Sequence, residues 1–252
     1  MKTILKSFLL FSLILSNISS LFAQENQTYW VHVDEVKPSK TKAYLEVAKQ
    51  FIKVSKEVNL DYPAFTLAAD NGRYLNVTEV PSLSAVDTMS LKSMRDHMGE
   101  DAMTAMFDKF SECYDNHYDY MISLRANLSY QPTGINVLPS EQNFRHLDYY
   151  FVSVSNIYKL TDIAKRYKAL NEELGSKLYY RAYFSGFGIT EKYLMIATAA
   201  KSAEEFDHLN VENNKLLGEK GEALYNELQT IISRFDHENG HVISELTYAP
   251  KN

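Results

Sequence analysis

Arg125-Ala126-Asn127-Leu128-Ser129-Tyr130-Gln131-Pro132 is answered near the end of the chain by Ile243-Ser244-Glu245-Leu246-Thr247-Tyr248-Ala249-Pro250. A Gly-Glu pair precedes each stretch, at Gly99-Glu100 and at Gly218-Glu219, and the two copies stand 118 or 119 residues apart. Upstream, Tyr74-Leu75-Asn76-Val77-Thr78-Glu79 is answered by Tyr193-Leu194-Met195-Ile196-Ala197-Thr198 at an offset of 119. Each is followed by a Ser-rich helix start, Ser82-Leu83-Ser84 and Ser202-Ala203-Glu204. Further up, Tyr29-Trp30-Val31-His32-Val33 pairs with Tyr150-Phe151-Val152-Ser153-Val154 at an offset of 121. Three echoes in one order, at nearly one spacing, read as an internal duplication.

Each half carries the same predicted elements. In the first, residues 29–36 alternate as a strand. Pro38-Ser39 opens a helix whose Tyr44, Val47, Phe51, Ser55 and Val58 keep 3–4 spacing, with Asn59 at its end. A strand near Pro63–Ala68, the turn Asp70-Asn71-Gly72 and a strand from Tyr74 to Val80 form a hairpin, for which Asn-Gly is a strong signal. A long helical stretch from Leu91 to His117 follows, then a strand over 122–130. The second half repeats this with a strand at 149–157, a helix closed by Gly175, a hairpin at 179–198 turning near Gly188, a helix through Phe235, and a strand at 242–248.

The order β-α-β-β-α-β is the ferredoxin-like split βαβ, whose helices cover one sheet face and leave the other to be covered. The fold class expected is α+β: two tandem ferredoxin-like repeats packed sheet to sheet. The pattern resembles the dimeric α+β barrel superfamily, and among its members tandem proteins similar to the NIPSNAP and antibiotic-biosynthesis-monooxygenase groups. The residues behind the resemblance are Tyr29–Val33, Pro38-Ser39, and Tyr193-Leu194-Met195-Ile196 with Ser202-Ala203-Glu204-Glu205-Phe206. Membership would imply an intrachain barrel. It would not fix an activity, because the superfamily holds monooxygenases, haem-handling enzymes, dehydratases and members of no known activity.

Residues 1–24 have the layout of a secretory signal peptide: Lys2 and Lys6, an apolar run from Phe8 to Leu15, and small residues up to Ala23. The run is too short to span a bilayer. Residues 25–132 then form the first repeat, 133–146 a linker carrying Gly134 and Pro139, and 147–252 the second repeat. Export across the cytoplasmic membrane follows, to the periplasm or beyond, with no membrane span after cleavage. The full chain of 252 residues has net charge −6; without Lys2 and Lys6 the balance is 24 basic to 32 acidic. That surface disfavours nucleic acid, which needs clustered Lys and Arg. Cys113 is the single cysteine, so no internal disulfide forms, and its setting reads as a buried structural thiol.

Strand parity maps the faces. Val31, Val33, Leu75, Val77, Val152, Val154, Leu194 and Ile196 are expected to face the helices. The opposite parity would face the other repeat and carries the candidate ligand-binding residues Trp30, His32, Asp34, Tyr74, Asn76, Arg125, Arg181, Tyr183, Tyr193 and Glu245. Three arrangements suit so polar a face: strands open to solvent, an interior network of ion pairs, or a ligand cavity between the sheets. In the cavity, His32 is the candidate acid or base, oriented by Asp34 or Asn76, and Arg125 or Arg181 would hold an anionic group.

His237-Glu238-Asn239-Gly240-His241 matches the zinc-protease pattern His-Glu-x-x-His. That chemistry needs both histidines on a continuing helix, whereas Asn-Gly breaks helices and Val242–Tyr248 alternates, so the match reads as chance. No metal, haem, dinucleotide or nucleotide motif requires a cofactor. The expectation is an exported barrel protein that binds a small molecule between its sheets, with a monooxygenase-like or haem-handling enzyme as the alternative. Both halves of the barrel lie in one chain, so a monomer suffices.

Overall fold

A computed structural model describes residues 26–135 and 141–251. The expected signal peptide and part of the expected linker, residues 136–140, lie outside the described residues. The first half runs β1 (Gln27–Val36), α1 (Thr41–Glu57), β2 (Phe65–Ala69), β3 (Arg73–Val80), α2 (Leu83–Thr88), α3 (Lys92–Met98), α4 (Glu100–Ser111) and β4 (Tyr114–Leu124). The second runs β5 (Phe144–Val152), α5 (Ile157–Leu174), β6 (Tyr180–Ser185), β7 (Tyr193–Ala200), α6 (Ala203–Gln229) and β8 (Ile232–Val242).

The expected punctuation holds in detail. Asn59 ends α1 in the left-handed region at φ 47°, where a short polar side chain is tolerated. Gly72 turns the first hairpin at φ 87°, and Gly175 caps α5 at φ 66°. Ser82 and Ser202 stand just before α2 and α6, and the Ser202 hydroxyl accepts the Glu205 N–H.

The eight strands close into one antiparallel barrel in the order β1-β3-β2-β8-β5-β7-β6-β4. Each half contributes four neighbours, and two short seams join the halves. At one, Leu67, Ala68 and Ala69 of β2 pair with Val242, His241 and Gly240 of β8. At the other, Ile122, Ser123 and Leu124 of β4 pair with Ser185, Phe184 and Tyr183 of β6. Closure at the seams gives every strand a partner on both sides over part of its length, which limits edge pairing with other chains.

The repeated stretch quoted first has a different role from the strand expected of it. Both final strands lie earlier than expected, at Tyr114–Leu124 and Ile232–Val242, and the preceding helices stop at Ser111 and Gln229. Polar strand sequences such as Tyr114-Asp115-Asn116-His117 hide alternation, because both faces of this strand carry polar or tyrosyl groups. Ala126–Leu128 and Ser244–Leu246 are instead 3-10 turns. Each turn crosses to the other half. Leu128 packs among Leu160, Ile163 and Leu228, while Leu246 packs among Tyr44, Val47 and Met94. The two tyrosines lock the crossing: the Tyr130 hydroxyl donates to the Ser176 carbonyl at 3.0 Å, and that of Tyr248 to the Leu60 carbonyl at 2.8 Å. The shared Leu-Ser/Thr-Tyr sequence is thus a reciprocal clamp.

The parity map holds in the second half and inverts in the first. Phe151, Tyr193 and Met195 face the barrel interior, and Val152 and Leu194 face the helices, as expected. Val31, Val33, Leu75 and Val77, expected against the helices, also line the interior. Val154, expected on a strand, lies in a 3-10 turn and is exposed. A slip of one residue exchanges the two faces of a strand. The offset of 119 that aligns Tyr74 with Tyr193 is odd by one, since Tyr74 packs against the α1 side and Tyr193 faces inward. The inverted faces carry the first-half polar residues out of the barrel and under the first-half helices.

The interior is filled by apolar and tyrosyl side chains: Tyr29, Tyr118, Tyr120, Tyr149 and Tyr183 pack around Val31, Leu75 and Leu147. Glu238 and Arg73 form an ion pair there. Tyr149 donates to Glu238 at 2.7 Å, and Arg73 donates to the Tyr118 hydroxyl at 3.1 Å. Buried charges persist only when paired in this way. His237 and His241 flank Glu238 on strand β8. Four residues of extended strand set them roughly 13 Å apart, too far to share an ion. Cys113 is buried, donates to the Lys109 carbonyl at 3.1 Å, and has its thiol pKa raised by burial.

Candidate functional site

The polar face of β1 and β3 meets α1 and α4 across a pocket of about 280 Å³. Phe51, Phe107, Phe110, Tyr62 and Leu91 make its apolar walls, and Leu246 of the second-half clamp closes one side. One corner is polar, formed by His32, Asn76, Thr66 and Tyr44. Trp30, the only tryptophan, lies on the lining beside His32.

Asp34, 3% exposed, is the hub beneath that corner. Tyr44 donates to its Oδ2 at 2.7 Å and the Asn76 amide at 3.3 Å. Thr66 donates to Asn76 Oδ1 at 2.8 Å, which fixes the amide with its NH₂ toward Asp34. His32 Nε2 lies 3.1 Å from Asp34 Oδ1, and its Nδ1 lies 2.9 Å from Asp119 Oδ1. An imidazole between two carboxylates donates from both nitrogens. Burial works against that charge, but the hydrogen bonds and charges of Asp34, then those of Asp119, prevail and raise the His32 pKa to about 9. Burial first, and the Asp34 charge second, push the Tyr44 phenol well above its ordinary range, so it stays a donor.

The barrel register builds this cluster. His32 and Asp34 are two apart on β1 and share its outer face. On β4, Asp119 is the partner of His32 and His117 the partner of Asp34, so two His-x-Asp triplets lie side by side.

Of the ten sequence candidates, Trp30, His32, Asp34 and Asn76 come together here. Tyr74 packs against Tyr44 with ring centres 4.5 Å apart, on the same side but in the core. Tyr183, Tyr193 and Arg181 lie inside the barrel, where Arg181 donates to the Ile135 carbonyl at 2.8 and 3.0 Å. Arg125 sits over the Phe184 ring at 5.7 Å. Glu245 is on the surface, paired with Lys49. The face expected to look across at the other repeat therefore divides between two compartments. Tyr44, Thr66, His117, Asp119, Phe107, Phe110 and Leu246 were not read as site residues in the sequence. The repeated spelling His-x-Asp, at 32–34, 117–119 and 146–148, is the signal that could have found two of them.

No protein-family model matches the chain, and no curated protein does. Solved structures do. A candidate monooxygenase from Lactobacillus acidophilus NCFM aligns with a TM-score of 0.54 at 7% identity, over 89% of this chain and 99% of its own. An anthrone oxidase-like protein aligns with a TM-score of 0.59 at 10% identity, over 87% and 92%. A mutant chlorite dismutase from Candidatus Nitrospira defluvii aligns with a TM-score of 0.51 at 8% identity, over 87% and 92%. The chain shares their α+β barrel fold. At such low identity that likeness covers the fold alone. Among the described residues, no helix is long and apolar enough to cross a membrane.

Proposed function

We propose that the first-half pocket binds a planar, largely apolar small molecule carrying a polar oxygen. The observation behind this is the pocket's asymmetry: aromatic walls around one polar, hydrogen-bonded corner at His32, Asn76 and Thr66. Small-molecule sites combine an apolar lining with a few convergent polar groups. Asp34 and Asp119 fix the His32 ring, so the polar corner is set before the ligand arrives. The fold shared with a candidate monooxygenase and an anthrone oxidase-like protein supports oxidation of such a molecule as the reaction class to assay. The volume is close to the lower bound for small-molecule sites, about 300 Å³, which suits one or two fused rings better than a porphyrin and weighs against the haem-handling alternative. The NIPSNAP resemblance rests on sequence pattern alone.

The only tryptophan lines the pocket, so its emission reports occupancy directly. Titration with 1-naphthol should quench Trp30 fluorescence saturably, and Ala48→Phe, which fills the pocket from α1, should weaken the effect about tenfold, equal to ~1.4 kcal/mol. Quenching that does not saturate, or that survives Ala48→Phe unchanged, would remove the ligand site from this pocket.

We also propose that the chain is a duplicated ferredoxin-like unit and is exported. Matching strand orders support the first point, as do matching bulges at Glu35/Val36 and Phe151/Val152. The layout of residues 1–24 supports the second. N-terminal sequencing of the protein made in a secreting bacterial host should begin at Gln24 or Glu25; a chain beginning at Met1 would contradict export by cleavage.

A further inference from the structure

The two His-x-Asp triplets on β1 and β4 place three metal-ligating side chains together beside the pocket's polar corner, which His32 lines. His32, Asp34 and His117 each present one ligand atom, all within 4.8 Å of one another. We propose that His32 Nε2, Asp34 and His117 form a binding site for a divalent first-row transition ion, with its open coordination positions toward the pocket.

Three observations carry this. First, His32 Nε2 and Asp34 Oδ1 stand 3.1 Å apart. Two ligands at right angles on an ion with bonds of about 2.1 Å are separated by about 3.0 Å. Second, Asp119 accepts from His32 Nδ1 at 2.9 Å. A carboxylate on the far nitrogen is the usual support of a metal-bound imidazole: it fixes the tautomer and raises ligand basicity. Third, Tyr44 and Asn76 hold Asp34 Oδ2 and leave Oδ1 toward His32. An ion bound between Nε2 and Oδ1 would replace the hydrogen bond there, its proton passing to solvent.

His117 completes the set from outside. It is exposed, stacks on Tyr114 at 5.3 Å and stands edge-on to His32 at 5.3 Å, so it can turn inward without disturbing the core. Two imidazoles and one carboxylate leave positions for water and a ligand oxygen. That donor set suits Zn²⁺ or Fe²⁺ over Mg²⁺ or Ca²⁺. Spacing along the sequence concealed it, because His117 comes from a strand 85 residues after His32.

The inference rests on the pocket only for the open side of the ion. The test uses untagged, chelator-treated full chain with Co²⁺ followed by visible absorption and Zn²⁺ by calorimetry. One equivalent should bind, with a visible Co²⁺ band, and His117→Ala should weaken binding by about tenfold or more, Asp119→Asn by about tenfold. His237→Ala, on the barrel's other half, should change nothing. The inference is overturned if no stoichiometric binding occurs, if His117→Ala binds as the parent does, or if His237→Ala abolishes binding. Naphthol quenching of metal-free protein is read separately, so a missing metal site and a missing ligand site give different results.

Discussion

Asp34→Ala should lower the melting temperature by roughly 6–12 °C, the equivalent of about 3 kcal/mol in a chain of this size. The carboxylate is almost wholly buried, accepts from Tyr44 and Asn76 and sits against His32. Deleting it leaves the Tyr44 hydroxyl, on a ring packed against Tyr74 and Phe110, without an acceptor. An unsatisfied buried donor costs about 1–3 kcal/mol. Stranding a cation beside the hole adds to that, partly offset because Asp119 still holds His32. Asp34→Asn keeps an acceptor for Tyr44 and should lose less than half as much. Calorimetry of the two variants decides the matter; an Asp34→Ala protein that melts with the parent would show that the hub contributes nothing to stability.

Gly240→Val, outside the pocket, should be strongly damaging. A Cβ at position 240 would stand 2.6 Å from the Ala68 carbonyl oxygen and 3.1 Å from the Ala69 Cα. Both are backbone atoms of β2, so no side chain can swing aside. The β2–β8 seam spans only the pairs from Leu67–Val242 to Ala69–Gly240, and one displaced strand opens all of it. Overpacking of this kind costs about 1–3 kcal/mol, and more where the backbone must move; about 3 kcal/mol is expected here. The Asp70 amide, which donates to the Asn239 carbonyl at 2.9 Å beside the seam, should lose hydrogen-exchange protection. His241→Ala, adjacent and exposed, should change stability by no more than about 0.5 kcal/mol. A Gly240→Val protein with parental melting and parental protection at Asp70 would mean that the barrel is not closed at this seam.

The element order was legible in the sequence because its punctuation is local. Asn59, Asp70-Asn71-Gly72, Gly175 and the serines before α2 and α6 specify backbone conformations that depend on few distant residues. The faces of β1 and β3 were not legible, for a reason peculiar to a closed barrel. Val31 and Val33 alternate with His32 and Asp34, and alternation says which residues share a face but not which compartment that face meets. Both compartments here are apolar, one filled by tyrosines and the other by α1 and α4. The final strands were missed because Tyr114–Asp119 and Asp236–Gly240 carry polar groups on both faces, whereas the apolar clamp residues Leu128 and Leu246 imitate strand alternation while lying in 3-10 turns. The candidate site was half visible. Trp30, His32, Asp34 and Asn76 were singled out together, but Asp119 and His117 join them only through the β1–β4 register, and Leu246 only through the crossing of the second half.

The ligand site proposed lies under the first-half helices rather than between the sheets. A crystal structure of the protein soaked with 1-naphthol tests it most directly. The predicted result is a ring stacked among Phe51, Phe107 and Phe110, with its oxygen toward Trp30 and His32. Density inside the barrel against Tyr183 and Tyr193, with the first-half pocket empty, would contradict it.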